Sequence, residues 1–307
     1  MSLAISVPNP HLLKALREQM PDADLVLWDL RTPAPRQRFD IVVTPYLRGP
    51  SVLTALAGLE IGLVQSQTLG YDGAADFLPE GLRYANAVGV HEASTAELAV
   101  GMMIAMQRRF PEYVHAQDRS DWDHQRSRAL ADSRVLVVGI GGVGQAIIDR
   151  LLPFEVEVVR VASGARTDAV GRVHGTDELP ALVTEADIVV LAVPLSTATT
   201  GMIGAGVLSA MRPGTLLVNV GRGPLVDTDA LVDAVQSGGV RAALDVVDPE
   251  PLPPGHPLWS LPGVFVTPHV GGHTEAMAPR VVRLVRDQAE RMRAGMPPHN
   301  VVLPAPG

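Results

Sequence analysis

Arg134-Val135-Leu136-Val137-Val138-Gly139-Ile140-Gly141-Gly142-Val143-Gly144-Gln145 is the stretch that decides the fold. An aliphatic run feeds Gly-x-Gly-x-x-Gly, and apolar residues continue at helical spacing through Val143, Ala146, Ile147, Leu151 and Leu152. The pattern predicts strand, tight turn, helix. Such a turn cradles phosphate. Gly139 permits the sharp turn, Gly141 lets the backbone approach a pyrophosphate, and Gly144 lets helix and strand pack closely. The first helical residues, Gly142 and Val143, offer unpaired N–H groups at a positive dipole end. A plain βαβ turn shares these glycines; stretches further along the chain favour a dinucleotide site.

The chain has 307 residues, no cysteine and a formal net charge of −8. Its length suggests about two domains, large enough to bury cores without covalent staples. Disulfides, thiol nucleophiles and thiolate metal sites are excluded, and no metal site is expected. The start, Met1-Ser2-Leu3-Ala4-Ile5, lacks a basic region followed by a long apolar run, and no segment reaches about 18 uninterrupted apolar residues. A soluble, cytoplasmic protein with no membrane partner is expected. Scattered arginines on an acidic chain with few aromatic residues argue against nucleic acid.

Before the glycine motif, short apolar strands (Leu3 to Val7, Asp24 to Trp28, Asp40 to Val43, Ile61 to Gln65) alternate with helices near 10–19 and 51–56, which predicts a small parallel α/β unit. Leu69-Gly70-Tyr71-Asp72 follows as a turn whose backbone N–H groups can converge on an anion. Ala93 to Arg109 is helical and apolar on nearly all sides, so a neighbouring domain or subunit is expected to bury it. Arg119 to Arg126 reads as an exposed polar arm around Trp122. After the motif, strands at 156–161, 186–193, 215–220, 240–245 and 264–267 complete a six-stranded doubly wound sheet. Helices are expected near 178–184, 205–211 and 228–237, the last capped by Thr228-Asp229. A final helix from Thr274 to about Met292 returns to the first domain, which becomes discontinuous: 1–97 with 275–307, around a dinucleotide-binding domain at 98–274.

An acid at the end of the second strand of such a fold accepts hydrogen bonds from the adenosine ribose and repels a 2′-phosphate. Here Val156 to Val161 runs into Ala162-Ser163-Gly164-Ala165-Arg166, with no acid. Ala162, Ser163 and Arg166 therefore predict NADP in preference to NAD, although NAD still fits. The bland alternative is a solvated loop with an incidental arginine.

Three more stretches follow strand ends: Asn219-Val220-Gly221-Arg222-Gly223, Asp245 to Pro253 with Glu250 between prolines, and Thr267-Pro268-His269-Val270-Gly271-Gly272. Ligands of open α/β sheets bind outside the carboxyl ends of strands, so all three can face one crevice. Singly, Arg222 could be a surface charge, Glu250 a solvated acid and His269 a turn histidine.

Together with the glycine fingerprint, these stretches resemble the D-isomer-specific 2-hydroxyacid dehydrogenases, in particular short glyoxylate/hydroxypyruvate reductase-like members, from about Leu69 to Gly272. The resemblance implies an α/β fold of two doubly wound parallel-sheet domains, a Rossmann domain inserted into a flavodoxin-like substrate domain, in a homodimer. It implies Arg222 as the substrate-orienting cation, His269 as acid/base and Glu250 as its partner. It places Asp245 near the nicotinamide, and Pro194, Thr199, Val220, Gly221, Gly271 and Gly272 around the cofactor. Leu69 and Gly70 would meet the substrate carboxylate, the substrate being a small 2-oxo or 2-hydroxy acid. Histidine can hold a proton near neutrality, and an arginine fork suits a planar carboxylate and carbonyl. Ala162 departs from the Asp common in NAD-dependent members, and Ile188 to Val193 lacks the His often found before the Pro. A phosphite-type dehydrogenase and a non-catalytic nicotinamide-sensing regulator are the rival readings; an amide in place of Glu250 would be expected of a formate enzyme.

Overall fold

The computed structural model describes residues 2–304. In chain order its strands are β1 (Ala4–Val7), β2 (Asp24–Leu27), β3 (Arg38–Val43), β4 (Glu60–Gln65), β5 (Tyr84–Ala85), β6 (Arg134–Val138), β7 (Glu157–Ala162), β8 (Arg166–Asp168), β9 (Gly171–Gly175), β10 (Ile188–Leu191), β11 (Thr215–Asn219), β12 (Val240–Leu244), β13 (Val264–Val266) and β14 (Val301–Leu303). Two compact units form among the described residues: 2–91 with 274–304, and Glu92–His273.

The first unit holds a sheet in the order β14-β5-β4-β3-β1-β2. Its five parallel strands follow the flavodoxin-like order. Alternation along β3 sends Ile41 and Val43 to one face and Val42 to the other. On the first face they meet Leu12 and Leu16 of the Pro10–Gln19 helix and Val281, Val282 and Val285 of the Met277–Arg293 helix. Pro10 opens its helix where no N–H is needed, and Asn9 caps it by accepting the Leu12 N–H at 2.9 Å. The tail adds an edge: β14 runs antiparallel to β5, which the sequence pattern did not reveal.

The second unit's sheet runs β13-β12-β11-β10-β6-β7-β9-β8. Numbered within the unit, the parallel strands take the Rossmann order with one strand appended. Val135 and Val137 face one core layer, Leu136 and Val138 the other. The Glu92–Gln107 helix lies on the first layer, where Ala96, Ala99, Met102, Met103 and Met106 pack with Ile147 and Leu151 of the Gly142–Leu151 helix. Its missing wet face is thus covered within its own unit.

The sheet exceeds the six expected strands because 166–175 folds into a β8–β9 hairpin, closed by Gly171 at φ +127°. Arg166 therefore opens a strand instead of lying in a loop. The helix expected at 51–56 is a 3-10 helix, Pro50–Leu56, and that at 178–184 shrinks to Leu179–Leu182 behind a 3-10 turn. The cap of the Thr228–Gln236 helix is Asp227, not Thr228-Asp229: its carboxylate accepts the Ala230 N–H at 3.0 Å.

Candidate active site

β6 ends at Val138 and the chain turns at Gly139, where φ is +95° and a Cβ would lie 2.6 Å from the Ala192 carbonyl oxygen. Gly144 packs so tightly that a Cβ would come within 1.7 Å of the Gly139 carbonyl oxygen. Gly141 differs. It caps the helix, and nothing lies within 4 Å of where its Cβ would stand. An open, Cβ-free approach to a helix N-terminus fits a pyrophosphate. Gly142 begins the helix beside the Glu92 side chain, and Val143 packs inward on the core.

The carboxyl ends of neighbouring strands carry the other candidates. At the end of β7, Ala162 pairs with Gly175, Ser163 is exposed, and Arg166 is exposed with Nη1 donating to the Gly164 carbonyl at 3.3 Å. Beyond β10, the Thr199 hydroxyl donates to the Pro194 carbonyl and accepts from the Ser196 N–H, both at 2.8 Å, which folds that loop into a turn. Beyond β11, Asn219 accepts the Gly221 N–H at 3.1 Å and donates to the Arg222 carbonyl at 2.9 Å. This clamp presents Arg222, whose Nη1 also donates to the Gly221 carbonyl at 2.7 Å. Val220 is buried, with its N–H on the Leu191 carbonyl. The clamp role of Asn219 was missed in the sequence, although a polar residue ending an apolar strand was its signal.

Asp245, 3% exposed, is the hub of the loop beyond β13. Its carboxylate accepts the Thr267 hydroxyl at 2.6 Å and the Val270 and Gly271 N–H groups at 2.9 Å, while its carbonyl accepts the His269 N–H at 2.8 Å. Gly271 approaches so closely that a Cβ would lie 2.9 Å from that carboxylate. Gly272 follows, half-buried. The loop holds His269 at φ +53°, with Nδ1 2.6 Å from Glu250 Oε1. Glu250 and His269 are each partly exposed, at 40% and 38% of their side chains, so solvent reaches the pair.

In the other unit, Leu69 and Gly70 follow β4, and their carbonyls are taken by Asn86 Nδ2 at 2.9 Å and the Thr68 hydroxyl at 2.8 Å. Around them lies a buried polar cluster that the sequence did not disclose: Gln67 donates to the Thr44 carbonyl, and His91 Nε2 lies 2.6 Å from the Gln67 carbonyl. These partners stand more than 20 residues apart in the chain, so no local spacing announces them.

The family model of the D-isomer specific 2-hydroxyacid dehydrogenase NAD binding domain matches residues 100–271, more than half of the chain. A mouse glyoxylate reductase/hydroxypyruvate reductase is 29% identical over 292 residues, covering 89% of each chain. A human protein of the same name is 31% identical over 228 residues, covering 71% of this chain and 70% of that one. A D-isomer specific 2-hydroxyacid dehydrogenase from Xanthobacter autotrophicus Py2, solved in complex with NADPH and MES, shares the fold at a TM-score of 0.81, with 26% identity and 98% of each chain covered. The chain belongs to the D-isomer specific 2-hydroxyacid dehydrogenases. It is a nicotinamide-dependent oxidoreductase that moves a hydride between its cofactor and a small 2-oxo or 2-hydroxy acid. Among the described residues, no helix is long and apolar enough to cross a membrane.

Proposed function

We propose that this chain reduces a small 2-oxo acid, glyoxylate or hydroxypyruvate, with NADPH. The observation that carries the reading is the 2.6 Å contact between His269 Nδ1 and Glu250 Oε1. A carboxylate only accepts, so Nδ1 carries the proton of that bond and Nε2 is the nitrogen left to serve a substrate. The cofactor, when bound, supplies hydride to the carbonyl carbon. Arg222 orients the substrate through the two parallel donors of its fork. His269 gives its Nε2 proton to the carbonyl oxygen as negative charge develops there, and Glu250 holds the ring against the charge it loses and regains. In the reverse direction His269 takes the hydroxyl proton.

Preference for NADPH over NADH rests on Ala162 and Ser163, where an acid would repel a 2′-phosphate, and on the exposed Arg166. The named glyoxylate and hydroxypyruvate reductases among the relatives, and the relative solved with NADPH, support both choices. A homodimer in the cytoplasm completes the reading: Trp122 is 93% exposed, with Phe110 and Val114 also exposed, and a second copy would cover such an apolar surface. Loss of NADPH absorbance on mixing purified protein with glyoxylate, hydroxypyruvate, pyruvate or a bulky aromatic 2-oxo acid tests the proposal. Turnover fastest with the first two supports it; a protein that binds cofactor and turns over none of them belongs with the phosphite or sensor alternatives.

A further inference from the structure

Arg160 stands in β7, two residues before Ala162, and is only 7% exposed. Its neighbours Val159 and Val161 turn into the apolar core. A guanidinium in such a place is costly unless it is fully paired. Asp168 pairs it bidentately, with Nη1 to Oδ2 at 2.9 Å and Nη2 to Oδ1 at 2.8 Å, and the Arg172 carbonyl accepts a longer bond from Nη2 at 3.4 Å.

These acceptors lie on different arms of one hairpin. Asp168 ends β8 and Arg172 belongs to β9, so a single side chain from the sheet grips both arms. The hairpin needs such a hold. β9 joins β7 through only Val161↔His174 and Ala162↔Gly175, β8 pairs with β9 alone, and every residue of β8 is exposed.

Stability does not explain the choice of an ion pair, because replacing a buried pair with apolar residues of similar volume is often neutral or stabilising. What the pair does supply is geometry. β8 opens with Arg166, two residues before the gripped Asp168 and directly across from Val173, which is fully buried. Arg166 is thereby anchored from both sides, three residues after Ser163.

We propose that Arg160 and Asp168 are positioning residues for cofactor specificity: they hold the hairpin so that Arg166, with Ser163, meets the 2′-phosphate of NADPH. The proposal rests on the NADPH reading above. Neither residue touches the cofactor; both act through Arg166.

The test is the dissociation constants of NADPH and NADH, read from nicotinamide fluorescence, for the wild-type protein, Arg160→Met, Asp168→Asn, Arg166→Ala and the Asp168→Asn/Arg166→Ala double variant. Asp168 is partly exposed, and in Asp168→Asn the amide oxygen can still accept a bond from Arg160. The expected result is NADPH binding weakened about 10-fold in Arg160→Met and Asp168→Asn, NADH binding unchanged, and a double variant no weaker than Arg166→Ala alone, as coupled residues require. Adenosine 2′-monophosphate should lose its power to displace NADPH in the same variants. Equal weakening of both cofactors, or of neither, overturns the positioning role while leaving the NADPH reading intact. A wild-type protein that binds NADPH no tighter than NADH overturns that reading itself, before any variant is compared.

Discussion

His269 donates from Nδ1 to Glu250 Oε1 at 2.6 Å, from a residue whose backbone is left-handed, φ +53°. Non-glycine residues reach that region only where their surroundings hold them there. The strain therefore points to a histidine whose ring direction is set twice, by its backbone and by Glu250. Glu250→Gln keeps a hydrogen-bonding group but loses the charge opposite the ring. Its kcat for 2-oxo acid reduction should fall about 10- to 100-fold, the usual cost of losing a residue that orients a histidine. The cofactor dissociation constant should not change, and steady-state kinetics with a binding titration check both.

Asp245 supplies the backbone half of that arrangement. Asp245→Ala orphans the Thr267 hydroxyl and the Val270 and Gly271 N–H groups, each left unsatisfied at about 1–3 kcal/mol where no water replaces the carboxylate. The melting temperature should drop by several degrees and kcat should fall with it, because His269 loses its template. Calorimetry beside kinetics checks this; a variant with unchanged melting and unchanged kcat would remove Asp245 from the account.

The glycines of the fingerprint make opposite predictions. A Cβ at Gly144 meets a backbone carbonyl oxygen at 1.7 Å, so Gly144→Ala must push helix from strand and should destabilise the second unit severely. A Cβ at Gly141 meets nothing within 4 Å, and the backbone there, at φ −72°, suits alanine. Gly141→Ala should melt like the parent and bind nicotinamide dinucleotides at least 10-fold more weakly. Thermal melting paired with cofactor titration distinguishes the two.

Acid should loosen the β8–β9 region first. Hydrogen bonds from Arg160, then from the Val170 N–H, hold Asp168 down to about 2, and those from His174, the Gly175 N–H and Arg172 hold Glu178 down to about 2. Both folded-state values lie below the ordinary carboxylate range near 4, so each group contributes stability that is complete above that range and is lost as pH falls through about 2. Melting temperature should decline as pH drops from about 5 toward 2, and Asp168→Asn should flatten the decline.

The glycine turn and the long strands were legible because their signals are local: an aliphatic run, glycines at fixed offsets and a helical period. Four other strands were not. Tyr84–Ala85 and Val301–Leu303 are too brief to show alternation, and Arg166–Asp168 and Gly171–Gly175 are polar segments whose hairpin depends on a buried arginine elsewhere in the chain. In the candidate site, Arg222, Glu250 and His269 stood out by residue type at strand ends. Asn219, Asn86, Gln67 and His91 did not, because what they hold is backbone distant in sequence or hidden in a turn.

Turnover of glyoxylate by the wild-type protein and by His269→Gln, both saturated with NADPH, tests the central claim most directly. Glutamine can still hydrogen-bond a carbonyl oxygen but cannot deliver a proton, so kcat should fall about 100- to 10,000-fold while NADPH binds as before. An unchanged kcat in a variant that folds and binds NADPH would contradict the assignment of His269 as the acid/base.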